Sequence, residues 1–142
     1  MAICITTEDR EIIVETMFRY FWLIDHGRAS EVADLFAADG TLELAEGTPT
    51  PGRFSRREIE EAMVKRQTSP VWTRHVVSNV VLEALDGGLV AATSMLTLYR
   101  GDRKLCDACS VSVGDIKDTF VRAGRSWRIQ SRFIEPIFVD IG

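Results

Sequence analysis

Five side chains in this 142-residue sequence have the types needed to move a proton and hold the charge left behind: Asp25, His75, Tyr20, Asn79 and Arg132. Asp25 stands out first, in "MFRYFWLIDHG". Helical residues advance about 100° each, so Val14, Met17, Phe18 and Phe21 cluster on one side, and Asp25 falls among them. A buried ionised carboxylate costs roughly several kcal/mol unless paired, and the negative end of the helix dipole adds to that cost. Either the helix ends before Asp25 and leaves a solvated turn residue beside Gly27, or a partner holds the carboxylate. His75, in "TRHVVSNVV", is the candidate partner. Strand alternation puts Thr73, His75, Val77, Asn79 and Val81 on one face, although a lone strand histidine also reads as a satisfied core residue.

The chemistry of such a pair is general acid-base catalysis. A carboxylate bonded to one ring nitrogen sets the tautomer, so the other nitrogen can take a proton from carbon and return it to a leaving hydroxyl, for a typical gain of about 10² to 10⁴ in rate. Tyr20, Asn79 and Arg132 are candidate donors to the oxygen of an enolate. Each also has a plainer role. Tyr20 lies off the Asp25 direction and packs at a rim, Asn79 serves a strand bulge, and Arg132 pairs with Asp118 or Glu135 on the sheet surface. Trp22, Phe21, Trp72, Phe120 and Phe133 either line a pocket for a flat ring or are ordinary core.

The elements that must position these residues follow from periodicity. "TEDREIIVETMFRYFWLID" predicts a first helix with Thr7 as N-cap and Gly27 as stop. Ser30 caps a short second helix, "EVADLFA". "ADGT" signals a turn into the strand "TLEL", and the prolines and glycines of "EGTPTPG" break regular structure. Ser55 caps a third helix, "RREIEEAMVKRQ", whose arginines form a solvated face. Four long strands follow, "VWTRHVVSNVVLEAL", "LVAATSMLTLYR", "CSVSVGDIKDTFVRA" and "SWRIQSRFIEPIFV", joined by short turns. The expected fold is α+β, one domain over residues 1–142, with three N-terminal helices on a strongly curved, mostly antiparallel sheet.

Composition narrows the partners. A net charge of −4 repels phosphate backbones, which argues against nucleic acid. No apolar run reaches the roughly 20 residues of a membrane helix, and the N-terminus lacks a secretory signal pattern, so a cytoplasmic protein is expected. Cys106 and Cys109 make a C-x-x-C at the start of a strand, where residues three apart face opposite sides. With no second pair or nearby histidine they read as plain thiols. No metal site and no cofactor are expected, since Gly-rich phosphate loops and H-E-x-x-H helices are absent.

The order of these residues, an aspartate closing helix one, "LFAADGTLEL", a histidine opening the first long strand and "VGDIKDTFVRAGRSWRI", resembles the SnoaL-like group of the nuclear transport factor 2-like superfamily over roughly Glu8 to Phe138. That resemblance implies a cone with a deep apolar pocket, and a homo-oligomer, dimer or trimer. Within the group, the scytalone dehydratase, bile acid 7α-dehydratase and hexachlorocyclohexane dehydrochlorinase members imply His75 as acid-base residue, Asp25 as its orienting carboxylate and Tyr20 five positions before it. They also imply a cofactor-independent elimination on a small apolar cyclic hydroxy-ketone, steroid-like or polyketide-like. Two alternatives stay open. One is an aldol-type polyketide cyclase using the same pair, and the other is a non-catalytic ligand-binding or assembly subunit similar to the β subunits of ring-hydroxylating dioxygenases.

Overall fold

The computed structural model describes residues 3–139. Helix α1 spans Thr7–Asp25, and its N-cap is Thr6 rather than the expected Thr7. The Thr6 hydroxyl accepts from the Asp9 amide while the Asp9 carboxylate accepts from the Thr6 amide, a reciprocal capping box that uses two otherwise orphaned donors. The far end is closed by Gly27, at φ +76°. There the Arg28 amide donates back to Leu23 O at 2.8 Å, the long bond of a Schellman motif. Asp25 is therefore the last helical residue, and the helix does not end before it.

The second helix is a 3-10 segment, Ala29–Leu35, whose N-cap is Arg28. Ser30 does not cap it; its amide donates instead to Gln67 Oε1 at 2.9 Å. Helix α2 (Arg56–Gln67) has the expected cap, Ser55, completed by Glu58. It buries Ile59 and Met63, and Arg56 ties it to the 3-10 segment by donating to Ala33 O at 2.9 Å.

Six strands form one sheet: β1 (Phe36–Leu44), β2 (Gly52–Ser55), β3 (Trp72–Ala84), β4 (Val90–Gly101), β5 (Ser110–Ala123) and β6 (Ser126–Val139). Their order is β2-β1-β6-β5-β4-β3, and the β1–β6 pairing alone runs parallel. The fold is α+β, a mixed and unclosed sheet covered by the helices. Three local expectations need correction. "ADGT" is a bulge inside β1, where the pairing with β6 shifts between Phe36 and Thr41, rather than a turn before it. Gly52, read as a breaker, begins the short strand β2. Cys106 and Cys109 lie in the β4–β5 loop, not on β5, and the Cys106 thiol donates to Ala108 O at 3.0 Å.

The core lies between α1 and the sheet. The buried stripe of α1 runs Ile13, Met17, Tyr20 and Ile24, steps of three and four, with Phe21 four after Met17, and places one face against the strands. Phe18, expected in this stripe, is 45% exposed, and Tyr20, read as either a donor at the site or a rim residue, is buried inside it. Each such large apolar side chain contributes roughly 1.5–3 kcal/mol by leaving water. Across the sheet the register lines up Leu42, Arg132, Asp118 and Ala92 in one inward row. Among the described residues no helix is long and apolar enough to cross a membrane.

Candidate active site

The end of α1 meets the start of β3. Asp25 Oδ2 accepts from the His75 backbone amide at 2.8 Å, and Oδ1 accepts from His75 Nδ1 at 2.6 Å and from the Thr73 hydroxyl at 2.7 Å. The pair joins positions 50 apart in sequence. Both side chains are largely buried, with His75 10% and Asp25 5% exposed. Burial works against the Asp25 charge, but the bonds from His75 and Thr73 outweigh it and hold the carboxyl below its ordinary value. An ionised acceptor at Nδ1 puts the proton on that nitrogen, which leaves Nε2 as the acceptor of the neutral ring. Arg74 closes the site from the strand side by donating to Asp25 O at 3.1 Å.

Phe21 connects this pair to a second polar group. Its ring stacks on the imidazole, centroids 4.3 Å apart, and packs edge-on against Tyr20 at 4.7 Å. The Arg132 guanidinium lies 4.4 Å from the Tyr20 ring and 5.4 Å from that of Phe21. Arg132 has two sequence readings, a donor facing the site and a partner of Asp118 or Glu135 on the sheet surface. It does pair with Asp118, but in the interior, through two parallel bonds of 2.8 Å between side chains with no exposed surface. Burial pushes the Asp118 carboxyl up against the pull of Arg132, while Asp118 keeps the buried guanidinium protonated. Burial likewise pushes the Tyr20 phenol up to about 12, with Arg132 opposing and Asp118 adding, so Tyr20 stays neutral. Arg132 Nη1 and Ser94 Oγ are buried without a hydrogen-bond partner among the described residues.

Asp25, His75, Phe21, Tyr20 and Arg132 thus form one connected group. Five other candidates do not join it, the first being Phe133, which lies between Glu43 and Lys117 in register on the sheet face opposite Arg132 and Ile134. Asn79 sits at φ 55° in a bulge where the β3–β4 register shifts between Ser78 and Val81, so it is exposed, and Val80 and Leu82 take the inward positions. Trp22 is 59% exposed and stacks on His26. Trp72 is 44% exposed, with Lys104 over its ring. Phe120 is fully buried in the core row of Val90 and Ile129, eight residues along β4 from Leu98, the cross-strand neighbour of His75.

Two depressions open at the same end of the sheet. One, about 310 Å³, is lined by apolar residues including Leu96, Leu98, Val113, Ile134 and Pro136. The other, about 500 Å³, is more polar and lies against the β4–β5 loop. They share Arg100 and Ser110. Neither is lined by His75 or Asp25; Leu98, in the apolar opening, is the cross-strand neighbour of His75, and Arg100, in both, is that of Thr73. Thr73 and Arg66, which donates to the Thr73 hydroxyl at 2.8 Å, were not singled out from sequence. Thr73 did share the predicted inward face with His75, whereas nothing in the chain order points to Arg66.

The profile of the SnoaL-like domain matches residues 6–133, which span α1 through most of β6. The chain belongs to the SnoaL-like domain family. No curated protein matches it. Among solved structures, this SnoaL-like protein is similar to a candidate scytalone dehydratase from Novosphingobium aromaticivorans, at 18% identity over 93% of this chain and 86% of that one, with a TM-score of 0.77. It is also similar to ActVI-ORFA from Streptomyces coelicolor, at 16% identity over 90% and 96% of the two chains, with a TM-score of 0.75. A third likeness is to the β subunit of a candidate aromatic-ring-hydroxylating dioxygenase from N. aromaticivorans, at 18% identity over 93% and 91%, with a TM-score of 0.76. At such identities these likenesses establish the fold of the SnoaL-like chain and leave its chemistry to the residues.

Proposed function

We propose that this SnoaL-like protein is a cofactor-independent lyase that removes water from a small, apolar, cyclic hydroxy-ketone. The observation that carries this reading is the Asp25–His75 contact of 2.6 Å, assembled from two distant elements and mostly shielded from water. His75 Nε2 takes a proton from the carbon next to the carbonyl and returns it to the departing hydroxyl. Asp25 holds the ring in the tautomer that allows this and carries the countercharge of the imidazolium. Arg132 and the un-ionised Tyr20, buried against the Phe21 ring that stacks on His75, brace the wall of the site. The apolar opening bounded by Leu96, Leu98 and Ile134 suits a ring system.

A second reading, a non-catalytic assembly subunit, is favoured by one observation: neither His75 nor Asp25 lines the openings. Incubating cyclic hydroxy-ketones with the parent protein, His75→Ala and Asp25→Asn separates the readings. The lyase reading expects a product lighter by one water and carrying a new absorbing double bond, with turnover reduced by about 10²-fold or more in His75→Ala. A product of unchanged mass identifies aldol chemistry instead. Equal turnover by parent and His75→Ala, or none by either, overturns the lyase reading.

A further inference from the structure

We propose that Arg66, acting through the Thr73 hydroxyl, is a positioning residue that orients the Asp25 carboxylate toward His75. The inference rests on the proposed role of that pair and adds to it a third element, α2. Thr73 has one hydroxyl proton, and the carboxylate of Asp25 can only accept, so the 2.7 Å contact uses that proton. The hydroxyl oxygen is left with lone pairs on its other side, and there Arg66 Nη2 donates at 2.8 Å. A guanidinium can only donate, so Arg66 prevents the hydroxyl from rotating its proton away from Asp25. The direction of the chain is therefore fixed from Arg66 to Thr73 to Asp25.

Two features show that this placement is built into the fold. Arg66 follows Ile59 and Met63 at steps of four and three, so the anchored face of α2 carries it toward β3. Thr73 is 8% exposed and sits two residues before His75 on the same strand face, so one strand supplies both donors to Oδ1. Two donors on one carboxylate oxygen share its charge and lock its plane, which limits how strongly it pulls on the imidazole proton. The other charged groups around the relay are Arg74, bonded to the Asp25 and Thr73 carbonyls, and Arg100, opposite Thr73 on β4. His26, next to Asp25, is turned to Trp22 O.

The test is NMR on the full chain without substrate, following the Asp25 Cγ signal with pH and the His75 Nδ1 proton signal at fixed pH. Thr73→Val and Arg66→Gln should each raise the Asp25 midpoint by roughly 0.5 to 1 in pH and displace the Nδ1 proton signal. Thr73→Ser, which keeps the hydroxyl, should match the parent. Arg66→Met, which keeps the aliphatic stem, replaces Arg66→Gln if the latter does not fold. Signals unchanged in both variants overturn the relay. A change in only one also overturns it, because the two residues then act separately. If both variants shift the signals while His75→Ala still turns over, the lyase reading fails and the relay stands. If the signals stay put while His75→Ala loses turnover, the relay alone fails.

Discussion

The interior of the molecule holds a carboxylate–imidazole pair and a carboxylate–guanidinium ion pair, and the difference lies in what each side chain can still do. Asp25 and His75 leave a ring nitrogen free to exchange a proton. Asp118 and Arg132 consume each other's best hydrogen-bonding edges, leaving the Nη1 amino group without a partner among the described residues. Removing one member of a fully buried pair strands the other charge, whereas replacing both with apolar groups removes the problem. Arg132→Met should therefore destabilise the fold by roughly 3–5 kcal/mol, and Arg132→Met with Asp118→Leu by clearly less, as read from urea unfolding. A double variant at least as unstable as the single would show that the pair contributes more than mutual compensation. Its loss should also lower turnover even where the fold survives, because the Phe21 ring that stacks on His75 loses the guanidinium packed against it.

At the scale of elements, the end of α1 decides where the carboxylate points. Gly27 adopts the left-handed conformation that lets Arg28 bond back to Leu23, and nothing lies within 4 Å of where its Cβ would be. Gly27→Ala should thus cost about 1–2 kcal/mol from backbone strain alone. Thermal unfolding would show it as a lowered midpoint, with an additional loss of turnover if Asp25 shifts with the helix end. Asn79 presents the converse case. It already occupies positive φ in the β3 bulge, and glycine there should be tolerated with little change in stability and none in turnover, since its side chain faces out. The bulge also explains why counting by twos from His75 failed at Asn79: one extra residue reverses every later side chain. The capping boxes were better marked in sequence, because Ser55 and Glu58 carry their signal within four residues. Thr6 and Asp9 do so too, one position earlier than the expected cap.

For the whole molecule, pH and association are the informative variables. Asp9 ties the start of α1 to the β5–β6 hairpin by accepting from Trp127 and Arg122. Bonds from Thr6 and Trp127 lower its carboxyl from 3.8 to about 2, and Asp25 is lowered as well. A carboxyl with a depressed folded value stabilises the fold above its unfolded value, and that stability is lost as pH falls through the folded one. Stability should accordingly decline from about pH 4 toward pH 2, with a shallower decline in Asp9→Asn. Comparing the two isolates Asp9 from Asp118, whose burial-raised carboxyl contributes with the opposite sign. An equal slope in both proteins would remove Asp9 from the account. The outer sheet face leaves Val76, Val81, Met95, Tyr99 and Phe138 exposed in adjoining register rows, interleaved with Arg74, Ser78, Asp115 and the Lys117–Glu135 pair, and self-association through it is open to test. Light scattering at micromolar concentration should give a dimer or trimer that Val76→Glu weakens. A monomer throughout would assign that face no role in self-association.

Helix periodicity, the Ser55 cap and the four long strands were legible in the chain because they depend on neighbours within a few residues, and the α+β class followed from their order. The candidates Asp25 and His75 were legible because each breaks a local pattern, a charge in an apolar stripe and an imidazole on an inward face. What only the tertiary structure decided were quantities set by pairing distant segments: the parallel β1–β6 contact, the bulge that turns Asn79 out, the burial of Arg132 against Asp118, and the arrival of Arg66 beside Thr73. Register and packing across a sheet depend on the combined twist and bulging of all its strands, and no single segment encodes them.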